Sequence, residues 1–128
     1  MIGMRRVERP WGWFDRYSLN KPSTVKILTL KPGERTSLQS HSHRKELWVA
    51  LDHGLFAEIG KRMMGLRKGS TVMVGTSVRH RLGCKGRSKA RLLEISFGSF
   101  SERDIVRYED DYGRKMKGIS TAENSQYA

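Results

Sequence analysis

The sequence predicts an all-β protein folded as an antiparallel sandwich or barrel. Apolar and β-branched runs alternate with turn residues about every eight to twelve positions, a spacing typical of such folds. No convincing helical period occurs before residue 100. Beyond it, residues 101–104 (Ser-Glu-Arg-Asp) resemble a capping box and predict one short helical turn near the C-terminus.

The strands follow from the apolar runs and from the turn residues that separate them. The predicted strands span 24–31, 35–41, 46–51, 55–59, 63–66, 71–74, 78–82 and 90–97, with a short one at 17–19. Residues 115–128 are polar and show no apolar period. We therefore expect one domain over 1–114 and a flexible tail over 115–128.

Composition limits the class of protein. The 128 residues suffice for one domain with an ordinary core. No apolar run is long enough to span a membrane or to form the core of a signal peptide. The single cysteine, Cys84, excludes internal disulfides, and no motif around it indicates a nucleophile. These features predict a cytoplasmic protein that does not enter membranes.

The net charge of +12 indicates an anionic partner. Nucleic acid is one candidate and an anionic small molecule is the other. The basic residues are scattered along strands and turns, and no recognition helix or aromatic-and-basic RNA-binding motif occurs. The small molecule is therefore the favoured partner, and a basic nucleic-acid-binding barrel is the distant alternative.

The strand at 46–51 has apolar side chains on both faces. Trp48 and Ala50 point one way, and Leu47, Val49 and Leu51 point the other. Such a strand needs cover on both sides, from a second sheet and then from a partner subunit or the chain's own termini. We expect a homodimer.

Potential metal ligands cluster within residues 39–46. Gln39, His41 and His43 alternate, so on an extended strand their side chains would share one face, and Glu46 opens the next strand. Two of the four histidines fall in this short stretch. Imidazole nitrogens with amide and carboxylate oxygens suit a divalent ion. The alternative is a polar turn between two strands.

The spacing of these residues resembles the paired motifs of the cupin superfamily. The first motif begins at Gly33 and the second at Gly69, and their key residues are Gly33, Gln39, His41 and Glu46, then Gly69, Gly75, Ser77 and His80. The resemblance implies a cupin-type double-stranded β-helix, or jelly-roll barrel. It also implies that one divalent metal ion is held by Gln39, His41, Glu46 and His80. We expect zinc first, while iron, manganese, cobalt or nickel would suit the same donors.

A narrower resemblance covers residues 7–114. The matching segments include 9–12 (Arg-Pro-Trp-Gly), 31–35 (Lys-Pro-Gly-Glu-Arg) and 104–114 (Asp-Ile-Val-Arg-Tyr-Glu-Asp-Asp-Tyr-Gly-Arg). They are similar to the type II mannose-6-phosphate isomerase domain, which occurs alone or fused behind a mannose-1-phosphate guanylyltransferase. No glycine-rich nucleotide-binding signature of the guanylyltransferase occurs here.

This resemblance implies a sugar-phosphate isomerase that interconverts mannose 6-phosphate and fructose 6-phosphate through a cis-enediol. Glu94 is the candidate catalytic base, because a carboxylate inside an apolar barrel has a raised pKa. A surface or dimer-interface charge is the alternative for Glu94. His43 is the other candidate base, and its alternative is a solvent-exposed histidine at the end of a loop. Arg44, supported by Lys26 and Arg107, is the candidate phosphate ligand.

The chain departs from the family pattern at a few positions. Leu47 stands where the family usually has histidine, and Gly75 and Ser77 stand where proline and glycine are usual. None of these departures removes a predicted metal ligand, but Leu47 would remove a polar group if its side chain faced inward. The main alternative function is a non-catalytic, metal-dependent cupin that binds a sugar or sugar phosphate.

Overall fold

The structure is a computed structural model, and it describes residues 4–114. Within this range the chain forms strands and turns but no helix, and no helix long and apolar enough to cross a membrane occurs there. The strands are β1 (Arg5–Arg9), β2 (Gly12–Arg16), β3 (Ser23–Leu30), β4 (Leu38–Ser40), β5 (Arg44–Ala50), β6 (Leu55–Ile59), β7 (Arg62–Leu66), β8 (Thr71–Val74), β9 (His80–Cys84), β10 (Ala90–Gly98) and β11 (Val106–Glu109).

Two antiparallel sheets form the barrel, and a separate hairpin precedes them. The four-stranded sheet has the order β3-β10-β5-β8, the five-stranded sheet has the order β11-β4-β9-β6-β7, and β1 pairs with β2 in the hairpin. The apolar core lies between the sheets and includes Trp48, Ala50, Leu82 and Leu92, which are all at most 3% exposed. The predicted jelly-roll barrel is confirmed.

The structure corrects several predicted elements. The strand expected at 35–41 shrinks to β4, and Arg35 contributes only an isolated bridge to Gly83. The strand expected at 17–19 is absent from the described chain, because the N-terminal strands pair with each other before this point. The expected helical turn at 101–104 is a hydrogen-bonded turn, in which the Asp104 N–H donates to the Ser101 carbonyl at 3.1 Å. The predicted tail at 115–128 lies outside the described residues.

β5 is covered on both faces, as its sequence predicts. Trp48 is 3% exposed on the inner face, and Leu47 is 4% exposed on the outer face of a single chain. The chain itself therefore covers Leu47. The outer face remains open at the edge strand β3, where Val25 and Ile27 are 60% and 59% exposed. The homodimer stays a prediction, and this edge is the surface available for it.

Candidate metal centre

Three predicted ligands converge between the two sheets. His41 follows β4, Glu46 lies in β5 and His80 begins β9, and their candidate ligand atoms all lie within 4.8 Å of one another. The Nε2 atom of His41 is 3.5 Å from Oε2 of Glu46, and Nε2 of His80 is 3.8 Å from Oε1. All three side chains are buried. Residues far apart in the sequence thus present two nitrogens and a carboxylate to one point.

Gln39 lies beside this group. It faces His80 across the β4–β9 pair, it is buried, and it lines the same small cavity as the two histidines. Its amide nitrogen donates a 3.4 Å hydrogen bond to the carbonyl of Ser37. The amide oxygen is therefore the atom with which Gln39 could bind a cation.

Backbone carbonyls orient both imidazole rings. Nδ1 of His41 donates to the carbonyl of Asp104 at 2.7 Å, and Nδ1 of His80 donates to the carbonyl of Val78 at 2.9 Å. Because a carbonyl can only accept, each Nδ1 carries a hydrogen and each Nε2 keeps its lone pair for a ligand.

Both histidines are held in the neutral form. Burial, with a further contribution from His80, lowers the pKa of His41 to about 4. Burial also lowers the pKa of His80. Neutral imidazole is the form that binds metal ions, so both rings are ready to ligate at neutral pH.

Glu46 is ionised despite its burial. Burial alone would raise the pKa of Glu46, but electrostatic interactions with the two imidazoles and with Arg44 and a hydrogen bond from Trp48 outweigh it, so the pKa is lowered. Trp48 Nε1 donates to Oε1 at 3.0 Å, and Arg44 Nε donates to Oε2 at 3.1 Å. Trp48 thus orients the carboxylate, a role that the sequence did not reveal because the residue matched an ordinary core position.

The Arg44 side chain is buried, and its role as a phosphate ligand stays a prediction. Its guanidinium is buried, and besides Glu46 it donates to Nε2 of His41 at 3.2 Å and to the carbonyl of Ser101 at 3.0 Å. It also lies over the ring of Phe100, 4.3 Å from the centroid. The carboxylate of Glu46, two residues along the same strand, attracts the guanidinium inward. The prediction of a phosphate role did not anticipate this contact.

Glu94 lies inside the barrel, so the surface alternative is wrong. The residue is 6% exposed and lines the same cavity as His41 and His80. Burial, together with the charge of Glu46, raises the pKa of Glu94 to about 8. This direction agrees with the sequence-based expectation, and with such a pKa the carboxyl is protonated over much of the neutral range.

Of the other predicted catalytic and phosphate residues, Lys26 lines this cavity and His43 and Arg107 do not. The His43 side chain is 74% exposed, because β4 ends at Ser40 and the alternation of side chains stops there. Lys26 lines the cavity, but its Nζ is paired with Glu102 at 3.1 Å. Arg107 is buried on β11 opposite Gln39, and burial lowers its pKa.

Asp104 is a contributor whose position the sequence did not reveal. Besides its carbonyl contact with His41, its carboxylate accepts the backbone N–H groups of Ser42 and His43, both at 2.8 Å. The residue is the first of the long C-terminal motif at 104–114. That motif was the feature of the sequence that could have drawn attention to Asp104. No pattern in the sequence links it to the loop after β4.

The donor set fits a divalent metal ion. Two neutral Nε2 atoms and one carboxylate, with an amide oxygen beside them, match the ligands that zinc and similar transition ions take in proteins. Arg44 donates hydrogen bonds to two of these atoms, Nε2 of His41 and Oε2 of Glu46. An ion bound by the same atoms would have to displace those bonds.

The chain matches a known family over most of its length. The sequence profile of the family described as "Mannose-6-phosphate isomerase C-terminal" matches residues 3–110. The chain belongs to this family. The family is a domain of the cupin type, in agreement with the two motifs and the two-sheet barrel.

Longer bacterial proteins contain a similar segment. The xanthan biosynthesis protein XanB of Xanthomonas campestris pv. campestris is 38% identical over 111 residues. The mannose-1-phosphate guanylyltransferase ManC of Salmonella typhimurium is 36% identical over 111 residues, and the alginate biosynthesis protein AlgA of Pseudomonas aeruginosa is 35% identical over 109 residues. The first match covers 86% of this chain but 24% of XanB. The chain thus spans about a quarter of the length of these relatives.

Solved structures confirm the barrel. The capsular polysaccharide assembling protein CapF of Staphylococcus aureus aligns with a TM-score of 0.64 at 13% identity, covering 84% of this chain and 34% of CapF. A Klebsiella pneumoniae protein with a double-stranded β-helix domain aligns with a TM-score of 0.61 at 16% identity, covering 72% and 78% of the two chains. A cupin 2 conserved barrel protein of Salinispora arenicola aligns with a TM-score of 0.56 at 14% identity, covering 75% of each chain. At these identities the likeness establishes the cupin fold alone.

Proposed function

We propose that this domain is a metal-dependent sugar-phosphate isomerase that interconverts mannose 6-phosphate and fructose 6-phosphate through a cis-enediol. The observation that carries the proposal is Glu94, a buried carboxyl with a pKa of about 8 in the same cavity as the His41, Glu46 and His80 group. Membership of the family and the names of the relatives support sugar-phosphate chemistry.

Aldose–ketose isomerisation needs a group that moves a proton between two adjacent carbons. A base performs this best when its pKa lies near the working pH, and Glu94 has such a pKa. An ordinary surface carboxylate would be too weak a base. Lys26 lies directly opposite Glu94 in the β3–β10 pair. Its positive charge stabilises the Glu94 carboxylate after Glu94 has lost its proton.

A metal ion held by His41, Glu46 and His80, with Gln39 beside them, would supply a Lewis acid for the charge that develops on the enediol oxygens. The neutral imidazoles and the single carboxylate leave such a site net positive, which suits an anionic intermediate. The burial of these residues keeps bulk water away from the reacting carbons.

Arg44 controls access to this centre. The cavity around the ligands is only about 20 Å³, enough for about one water molecule. A sugar phosphate can enter only if side chains move, and Arg44 holds Glu46 and His41 by hydrogen bonds that the same displacement would break. Release of Arg44 would therefore open space and free ligand atoms together.

The same contact favours a second candidate, a non-catalytic cupin that binds a sugar phosphate. In that protein Arg44 would stay in place, and the carbons of the bound sugar phosphate would not reach the metal centre. The departure at Leu47 does not bear on this choice. Its side chain lies on the outer face opposite Ile95 and Met73, so no polar group of the cavity is lost.

The experiment is proton exchange and turnover with mannose 6-phosphate in D₂O, followed by NMR on protein loaded with Zn²⁺, Mn²⁺ or Co²⁺. We expect conversion to fructose 6-phosphate, with deuterium at C1 of this product and at C2 of the recovered mannose 6-phosphate. Glu94→Gln should slow both about a hundredfold or more while metal content is unchanged. His80→Ala should lose metal and activity, and His53→Ala, which changes a histidine outside the centre, should lose neither. Full metal occupancy and sugar-phosphate binding without exchange at C2 would favour the binding module.

A further inference from the structure

A second, larger cavity lies outside the barrel and is lined by cations without a carboxylate. Its volume is about 680 Å³, and the N-terminal hairpin, the loop after it and the start of β5 form its walls. Its basic residues are Arg5, Arg16, Lys21, His43, Arg44 and Lys45. We call this cavity the basic cleft. No Asp or Glu lines it, whereas the comparable cavity beside β3, of about 720 Å³, contains Glu34.

Four of the cleft cations have no ion-pair partner among residues 4–114, whereas Arg44 is paired with Glu46 and His43 lies 3.6 Å from Asp104. Among residues 4–114, no carboxylate lies within 4.0 Å of the charged nitrogens of Arg5, Lys21 or Lys45, and Arg16 contacts the ring of Phe14 at 6.0 Å instead. Cations of the neighbouring cavity are paired, as Arg35 is with Asp111 at 2.7 Å. The basic cleft is thus a concave region of uncompensated positive charge.

The hairpin places two of these cations directly opposite each other. Arg5 and Arg16 are cross-strand partners in the β1–β2 register. Like charges at opposed positions of an antiparallel pair destabilise it, so this arrangement costs folding free energy unless an anion lies between the two guanidinium groups. The next cross-strand pair, Arg6 with Asp15, carries opposite charges and forms an ion pair, which stabilises the hairpin.

We propose that the basic cleft binds a small molecule with two adjacent phosphate groups. A single phosphate monoester carries about −1.5 to −2 charges at pH 7, which two cations can balance. The cleft has four cations besides His43 and Arg44, and this number matches the charge of a diphosphate better than that of a single phosphate. They are Arg5, Arg16, Lys21 and Lys45. Tyr17, Leu19 and Phe97 line the same cleft and offer an apolar surface to the rest of the ligand.

This site is separate from the metal centre and does not depend on isomerase activity. Arg44 lines both cavities, but its donors point at Glu46, His41 and the Ser101 carbonyl, so the phosphates would be held by the outer cations. The cleft also accounts for part of the +12 net charge that one sugar phosphate leaves unexplained.

The test is isothermal titration of metal-free protein at low ionic strength, so that no metal ion bridges the ligand. The probes are inorganic pyrophosphate, inorganic phosphate and a random-sequence single-stranded oligonucleotide. We expect pyrophosphate to bind about tenfold or more tightly than phosphate. The double variant Arg5→Gln/Arg16→Gln should weaken pyrophosphate binding about tenfold or more, without a lower melting temperature, because it relieves the opposed charges.

Matched controls separate a built site from general charge. Arg62→Gln/Arg67→Gln removes the same charge from exposed positions at the start of β7 and just after it, neither of which lines the cleft, and should change the affinity less than about twofold. Lys21→Gln, in a loop, provides a second cleft variant if the hairpin variant does not fold. Equal weakening by both double variants would overturn the proposal, and so would an oligonucleotide that binds more tightly than pyrophosphate. His80→Ala should retain pyrophosphate binding even if the isomerase proposal fails.

Discussion

The backbone carbonyl of Asp104 lies 2.7 Å from Nδ1 of His41, across 63 residues of sequence. The carboxylate of Asp104 also accepts the N–H groups of Ser42 and His43. The segment before β11 therefore fixes both the ring of one candidate ligand and the loop that carries it. The C-terminal motif of the family contributes to the metal centre from outside the two cupin motifs.

We expect Asp104→Ala to lower the free energy of unfolding by about 2 kcal/mol, since two backbone donors lose a charged acceptor. It should also weaken zinc binding about tenfold, because the loop that carries His41 loses the two hydrogen bonds that hold it, although the backbone carbonyl of Asp104 remains. Asp104→Asn should lose less of both. Urea unfolding and zinc competition titration measure the two effects, and Asp15→Ala, at an exposed ion pair, is the control. An unchanged zinc affinity in Asp104→Ala would contradict this positioning role.

We expect Arg44→Met to bind divalent metal about tenfold or more tightly than the wild type. The change removes a positive charge and frees Nε2 of His41 and Oε2 of Glu46 from the guanidinium. Cobalt titration followed by absorption measures the affinity. Arg79→Met, which removes an exposed cation next to His80 in the sequence, serves as the control. Weaker metal binding in Arg44→Met would show that Arg44 assists the metal site instead of competing with it.

We expect Glu94 to lower the stability of the metal-free protein as pH rises, with a net fall between about pH 6.5 and 8, above the range in which His41 and His80 oppose it. Its folded pKa of about 8 lies above the ordinary value of 4.5, so in this window the unfolded chain is ionised while the folded chain must keep the proton or bury a charge. His41 acts in the opposite sense below pH 6.5, because its pKa is lowered to about 4.

Glu94→Gln should remove the Glu94 contribution. The free energy of unfolding of the variant, relative to that of the wild type, should rise by up to about 1.4 kcal/mol per pH unit across the window. Above about pH 8 this difference should stay constant. Urea unfolding at several pH values measures the difference. Glu8→Gln, on the exposed hairpin, measures the effect of removing a carboxylate alone. A difference that does not grow with pH would mean that Glu94 is ionised throughout.

We expect Ser77→Gly to stabilise the protein by about 0.5 kcal/mol. Ser77 has a φ of 62°, in the left-handed region that costs a residue with a Cβ about 1 kcal/mol, part of which is offset by the greater freedom of glycine in the unfolded chain. Its N–H still donates to the His41 carbonyl at 2.7 Å in either case. Thermal unfolding measures the gain, and Ser88→Gly, at an exposed position whose φ is not positive, is the control. A loss of stability would indicate that the Ser77 side chain contributes more than its backbone strain costs.

We expect a homodimer that forms through the open edge of β3. Val25 and Ile27 are exposed, and the outward face of this long edge strand carries no charged residue of the kind that usually blocks strand addition. Val25→Lys/Ile27→Lys should convert dimer to monomer in light scattering after gel filtration. Met63→Lys, at an exposed methionine on β7, should leave the dimer intact. A monomeric wild type would refute the prediction.

The sequence by itself determined the class of fold and most of the strands. Turn residues and alternating apolar side chains carry that information locally, so strands such as β6 and β8 appear with the predicted bounds. The resemblance to the paired cupin motifs also implied which residues would converge, and the structure brings three of them, His41, Glu46 and His80, together between the two sheets. Glu94 followed from alternation along β10.

Tertiary structure alone decided which polar side chains face each other. Arg44 was predicted to contact phosphate, yet the buried Glu46 carboxylate draws it inward, and a charge-assisted bond in a low-dielectric interior outweighs solvation at the surface. His43 faces solvent because β4 ends at Ser40. The pairing of Asp104 with His41 and the gathering of cations in the basic cleft depend on which segments the barrel brings together, and short-range sequence patterns carry no record of such contacts.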